Sequence, residues 1–190
     1  MDILTALAVN FDLPILDWIA ANLTNPVLDF LMPIITCLGD AGIFWIACAV
    51  LFLLIPKYRK IGLAMGIALI MGLVVCNITL KPLVARQRPY DFMFEHYGQQ
   101  IALLIATPHD FSFPSGHTLA SFEAATALLL YNKKLGIPAM ILAVLISFSR
   151  LYLYVHSPTD VLFSVVLGIA FAFAGKYLSE KIFAAIPSKQ

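Results

Sequence analysis

The chain has 190 residues, of which 61% are hydrophobic and 12% charged, whereas soluble domains average roughly 45–50% apolar and 25% charged. That balance excludes an ordinary soluble fold and predicts an all-α integral membrane protein. A net charge of +1 offers no basic field for nucleic acid and no acidic one for cationic partners, which leaves the lipid bilayer as the partner that composition points to.

The N-terminal stretch MDILTALAVNFDLP has no basic region and carries Asp2 and Asp12, so it does not read as a cleaved signal. Just after it, Ile15, Leu16, Ile19, Ala20 and Leu23 share one helical stripe, with Asp12 and Asp17 off it. This pattern suits an amphipathic helix lying in the membrane interface over residues 1–24; the other reading is that it extends the first span.

Apolar runs bounded by Pro, Gly and charges then predict a six-transmembrane-helix bundle over residues 26–177, with spans at 26–39, 42–55, 62–80, 117–131, 137–154 and 158–177. The first two are short and are joined by Gly39-Asp40-Ala41-Gly42, which reads as a tight turn in a helical hairpin. Residues 178–190 form a tail. No internal repeat or linker divides the chain, so a single membrane-embedded domain over 1–190 is expected. Cys37, Cys48 and Cys76 all lie inside apolar runs and read as small core residues rather than a disulfide or metal set.

Cytoplasmic loops carry an excess of Lys and Arg. Of the twelve basic residues, Lys57, Arg59, Lys60, Lys133, Lys134, Lys176, Lys181 and Lys189 fall on one side of such a bundle. That side is expected to be the cytoplasm, with both termini there, in a multi-pass protein of the cell membrane. Lys81, Arg86, Arg88 and Arg150 lie at the opposite, external face and need another explanation.

Three segments converge on that face: KPLVARQRP from Lys81, PSGH from Pro114 and SRLYLYVHSPTD from Ser149. Lys81, Arg88 and Arg150 could grip a phosphate, since guanidinium forks match its oxygens. Taken alone, Lys81 could equally be snorkelling to the interface, and Arg86 has no signal beyond that. Arg150 sits among apolar and aromatic neighbours, where an unpartnered charge costs at least a few kcal/mol. Ser115 and Ser157 stand at helix N-caps, Ser157 with Asp160 at N3 in a capping-box arrangement, and helix N-termini attract phosphate. His156 with Asp160 nearby has the elements of a nucleophile and its orienting carboxylate, while His117 could protonate a leaving oxygen. His96 and His109 have no such setting. Nothing in the ligand spacing suggests a metal or nucleotide site.

The order K-x6-R-P, P-S-G-H, S-R-x5-H-x3-D resembles the three-part signature of the type-2 phosphatidic acid phosphatase superfamily, which also includes vanadium haloperoxidases. The match runs from Lys81 to Asp160. Ser157 departs from the aromatic that many members carry after the histidine. The resemblance implies that Lys81, Arg88 and Arg150 hold the phosphate, with Ser115 and Gly116 assisting. It further implies that His117 is the acid, His156 a nucleophile forming a phosphohistidine, and Asp160 its partner, with no metal or cofactor. The expected activity is hydrolysis of a lipid phosphate or diphosphate at the external face. Undecaprenyl diphosphate is the first candidate, and phosphatidylglycerophosphate or phosphatidic acid the alternative. A haloperoxidase-like vanadate site and a non-catalytic lipid-phosphate binder are the remoter readings.

Overall fold

A backbone threaded through hydrocarbon must satisfy its own N–H and C=O groups, and this chain does so with helices. No strand occurs among the described residues, 3–185, of the computed structural model. The helices are α1 (Ile3–Leu23), α2 (Pro26–Cys37), α3 (Ile43–Leu54), α4 (Arg59–Gly72), α5 (Pro89–Tyr97), α6 (Gly116–Tyr131), α7 (Lys133–Tyr152) and α8 (Pro158–Ala185). α4 continues through a π-helical stretch, Leu73–Leu80, into a last turn, Lys81–Val84. Since α8 runs unbroken to Ala185, residues 178–185 of the expected tail belong to it, and the remaining tail lies outside the described residues.

The hairpin expected across Gly39–Gly42 is absent. Ala41 (φ 49°) and Gly42 (φ 66°) adopt left-handed backbone that interrupts the helix but turns its axis by only 40°, so α2 and α3 are halves of one bent rod. Four helices among the described residues are long and apolar enough to cross a membrane: Ile3–Leu23, the run Pro56–Tyr97, Lys133–Tyr152 and Pro158–Ala185. The bent α2–α3 pair makes five. Two of the six spans expected from the sequence, 26–39 and 42–55, thus merge into this bent pair, and α6, which occupies the fourth, is shorter than the others at 16 residues.

α6 is nevertheless the centre of the bundle. It packs against α4, α7 and α8, and every residue from Thr118 to Leu128 except the half-buried Ala120 is buried along it. Small side chains allow this approach, as is usual where helices meet in lipid: Ala124, Ala125 and Ala127 are buried on α6, and Ala64 and Ala68 on α4. A Cβ at Gly175 of α8 would stand 2.4 Å from the carbonyl of Ala64, and one at Gly136 of α7 would stand 2.2 Å from the Cα of Leu129. The outward faces expose large apolar residues such as Leu54, Ile70, Ile78, Ile137, Val166 and Phe173, which lipid would cover.

α1 packs differently, because its partners all sit at one end of the bundle. Leu13, Leu16 and Ile19 join Tyr90, Tyr152 and Val155 in a second apolar cluster, Tyr154 donates to Asp17 (2.7 Å), and the Asn25 N–H that follows α1 reaches the Tyr152 hydroxyl (3.4 Å). Asp12 was expected off the apolar stripe. It instead lies on the buried face with Leu16 and Ile19 and is fully covered, because Arg86 pairs with it.

Overpacking a helix contact costs about 1–3 kcal/mol. Gly136→Val should thus lower the melting temperature in detergent by roughly 2–12 °C, at about 2–4 °C per kcal/mol for a chain of this size. Gly66→Ala, whose Cβ meets nothing within 4 Å, should leave it unchanged or slightly raised.

Candidate active site

Local backbone signals deliver the three segments to one place. α4 ends when Ala85 takes up left-handed backbone (φ 47°) and its N–H closes on the Lys81 carbonyl, after which the chain runs extended to Arg88, the residue before Pro89 opens α5. α7 ends in the same manner. Tyr154 (φ 58°) turns the chain so that the Val155 and His156 N–H groups both reach back to the Arg150 carbonyl, at 3.2 and 3.3 Å. The arginine and the histidine six residues on are thereby held side by side. Asp160, at the third position of α8, accepts from the Ser157 N–H (2.9 Å), which is the carboxylate half of the expected capping box.

Lys81, Arg88, Arg150, Gly116, His117 and His156 line one cavity of about 920 Å³. It extends from these polar groups down an apolar wall that includes Leu53, Gly66, Leu69 and Ile70 to the buried Glu123. Ser115 and Asp160 are the two expected site residues that do not reach its surface. Ser115 stands at the N-cap of α6 without a side-chain cap; its hydroxyl accepts from Thr118 (3.2 Å) and its N–H donates to Ser164 (2.9 Å). Asp160 lies behind His156, its Oδ2 3.5 Å from Nδ1 of the imidazole. The opposite ring nitrogen, Nε2, lies 3.3 Å from Nη1 of Arg88.

Each cation is anchored. Arg88 donates to the Val155 carbonyl (2.6 Å) and, through its other nitrogens, to the Asp110 carbonyl (2.8 Å) and carboxylate (2.6 Å). Lys81 bonds the same Asp110 carboxylate. Arg150 donates to Thr36 Oγ1 of α2 (2.6 Å). His117 meets Asp40, Nε2 to Oδ1, at 2.9 Å. Lys81 and Arg88 hold the Asp110 carboxyl well below the usual carboxylate range in spite of its partial burial. Burial pushes the His156 imidazole down to about 3, with Arg88 and Arg150 adding to that effect and Asp160 opposing it.

Sequence reasoning missed Arg86. It is buried and bridges two carboxylates, Asp12 of α1 and Asp160 of α8, both at 2.6 Å. Thr159 donates to Asp12 from its N–H and its hydroxyl, each at 2.9 Å, and Ser112 donates to Asp160. The available signal was Asp12, a carboxylate inside an apolar helix with no partner in its own sequence neighbourhood. Among the described residues no group of three or more His, Cys, Asp and Glu is arranged to hold a metal.

Residues 57–184 match the PAP2 superfamily model. The chain belongs to the PAP2 superfamily. Curated relatives agree: it is 37% identical over 130 residues to an undecaprenyl-diphosphatase of Sulfolobus acidocaldarius, covering 68% of this chain and 60% of that one. Undecaprenyl-diphosphatase BcrC of Bacillus subtilis is 34% identical over 149 residues, covering 78% of this chain and 74% of its own length. The fold resembles the crystal structure of Aquifex aeolicus LpxE (TM-score 0.72, 25% identity, 86% of this chain and 93% of that one). It also resembles that of a transmembrane PAP2-type phosphatidylglycerolphosphate phosphatase from Bacillus subtilis (TM-score 0.70, 27% identity, 98% and 93%). This PAP2 protein is thus a membrane-embedded hydrolase of lipid phosphates.

Removing one member of a buried ion network leaves the others short of a partner, at a cost of roughly 3 kcal/mol or more. Asp12→Ala should therefore lower the melting temperature by at least about 6 °C, and Asp12→Asn, which can still accept from Thr159, by less. Differential scanning fluorimetry in detergent reads both.

Proposed function

We propose that the protein hydrolyses a lipid diphosphate or monophosphate by way of a phosphohistidine on His156, with undecaprenyl diphosphate as the first-choice substrate. The observation that carries this reading is the placing of His156 at the head of the cavity. Its Nδ1 faces Asp160, so its Nε2 is the nitrogen presented beside Arg88. The apolar wall below would take the lipid chain. Lys81, Arg88 and Arg150 would share the charge of the phosphoryl oxygens, with the start of α6 at Gly116 adding its helix dipole.

In the first half-reaction, the Nε2 lone pair forms a bond to phosphorus and the bond to the leaving oxygen breaks, with His117 giving that oxygen a proton. In the second, water attacks the phosphohistidine, His117 takes a proton from it, and the phosphorus–nitrogen electrons return to His156. Asp160 orients the nucleophile, and Arg86 orients Asp160. Ser115 supports the α6 N-terminus from within. No metal is required by these steps.

Geometry also supports an orientation. Ser179 of α8 bonds the Lys60 carbonyl and the Tyr131 hydroxyl the Lys176 carbonyl, so the basic loops gather at the end remote from the cavity. That end is cytoplasmic by the excess of Lys and Arg, and the active site faces outward. α1 contacts the cavity end, so it lies along the outer interface as an amphipathic helix. Five helices then cross the membrane: bent α2–α3, α4, α6, α7 and α8. On this reading Ile3 lies at the external side and Ala185 toward the cytoplasm, whereas the sequence suggested both termini in the cytoplasm. The likeness to the phosphatidylglycerolphosphate phosphatase favours a second substrate, a glycerophospholipid monophosphate.

Phosphate release from undecaprenyl diphosphate, phosphatidylglycerophosphate and phosphatidic acid in detergent, with chelator present, tests the reading. Turnover should persist under chelation, fall by about 10³-fold or more in His156→Ala, and leave acid-labile radiolabelled phosphate on His156 when quenched; full activity in that variant refutes the mechanism. With the imidazole held near 3, His156 protonates only in strong acid. It should therefore impose no acid limb on kcat/KM near the ordinary histidine value of about 6.5.

A further inference from the structure

We propose that Asp40 is the positioning residue for the acid, holding His117 through Nε2 so that Nδ1 delivers the proton to the leaving oxygen. The inference rests on the reading of His117 as the acid given above. Gly39-Asp40-Ala41-Gly42, which reads in the sequence as a mere turn, is a break in the α2–α3 rod that is shaped around this histidine. Gly39 is buried against the ring, and a Cβ there would come 2.5 Å from His117 Cδ2. Ala41 accepts a left-handed backbone (φ 49°) that a residue with a side chain rarely adopts; such strain concentrates where a site demands it. The product of the break is the Asp40 carboxylate at 2.9 Å from Nε2, on the wall of the catalytic cavity.

The chemistry needs such a partner. His117 shares the cavity with Arg88 and Arg150, and two nearby cations disfavour an imidazolium, whereas a bonded carboxylate favours it. With Nε2–H donated to Asp40, the Nδ1 proton is the one transferred as the phosphorus–oxygen bond breaks and its electron pair stays on the leaving oxygen. The ring becomes neutral and keeps its Nε2–H on Asp40. Water then returns a proton to Nδ1 as its oxygen bonds to phosphorus. Asp40 never touches the reacting atoms.

A carboxylate that works through the acid matters in proportion to how much the leaving group needs a proton. Phosphatidic acid loses an alkoxide, which needs one; 4-nitrophenyl phosphate loses a phenolate, which does not. Asp40→Asn should lower kcat on phosphatidic acid at least tenfold more than kcat on 4-nitrophenyl phosphate, with Asp40→Glu restoring part of the difference. His117→Asn should show the same discrimination more strongly. Equal losses on the two substrates in Asp40→Asn, or no loss on either, overturn the proposal. If Asp40→Asn does not fold, Asp40→Ser is read against the same two substrates. If His117→Asn discriminates and the Asp40 variants do not, Asp40 alone is misassigned. If His117→Asn does not discriminate either, the assignment of the acid falls, and the role of Asp40 with it.

Discussion

The guanidinium of Arg86 joins three parts of the chain that lie far apart in sequence. One arm holds Asp12 of α1 and another holds Asp160 of α8, while its own backbone carbonyl accepts from Ser112 in the loop before α6. Burial opposes the charge on Arg86, but the two carboxylates more than offset it and raise its pKa. A buried ion cluster of this kind contributes little net stability compared with apolar packing of the same volume. It does impose geometry, because every member must find its partner before the interior can close. Here the geometry imposed is that of Asp160 behind His156, so the N-terminal helix bears on the candidate site although no residue on it lines the cavity that holds His117 and His156.

In front of that cluster the balance of charge reverses. Arg88, Lys81 and Arg150 surround the polar end of the cavity, and the carboxylate that answers Arg88 and Lys81 is Asp110, on a loop and exposed. Asp110 thus stands where an anionic ligand would be attracted. Arg150 is held by an uncharged hydroxyl, Thr36, and retains a buried Nε with no hydrogen-bond partner. Uncompensated positive charge in a low-dielectric pocket is costly in the empty protein and favourable once a phosphoryl group arrives. A bound anion would complete the site.

The lower half of the molecule follows a different rule. Close contact at Gly136 and Gly168 seats α7 and α8 on α6, and close contact at Gly62 and Gly175 brings α4 against α3 and α8, while large apolar side chains point outward. Trp45 adds a polar link, donating to Ser121 of α6 (3.0 Å) and tying α3 to the centre. This core carries His117 at its upper end, whereas Asp160 and His156 are held by the cluster above it.

The membrane class, the helical fold and the three segments that meet at the site could all be read from the chain alone. Each of these depends on local chemistry: apolar runs, helix breakers, and Lys, Arg and His at fixed separations from turns that the same residues dictate. Legible in that way were Lys81, Arg88, Arg150, His117, His156 and the Ser157–Asp160 cap. What depends on partners remote in sequence emerged with the folded arrangement. Asp12 resembles a polar residue off an apolar stripe, and Arg86 a snorkelling cation, until each is seen facing the other across 74 positions. Gly39 to Gly42 can be read equally well as a reversal or as a bend, since left-handed residues permit both; packing against His117 and α6 chose the bend. Ser115 marks a helix start in either view, but the contacts of Thr118 and Ser164 turned its side chain and N–H away from the cavity. Pairing of buried charges and the direction of a broken helix are decided by whichever surface the rest of the chain brings alongside, and no local pattern carries that information.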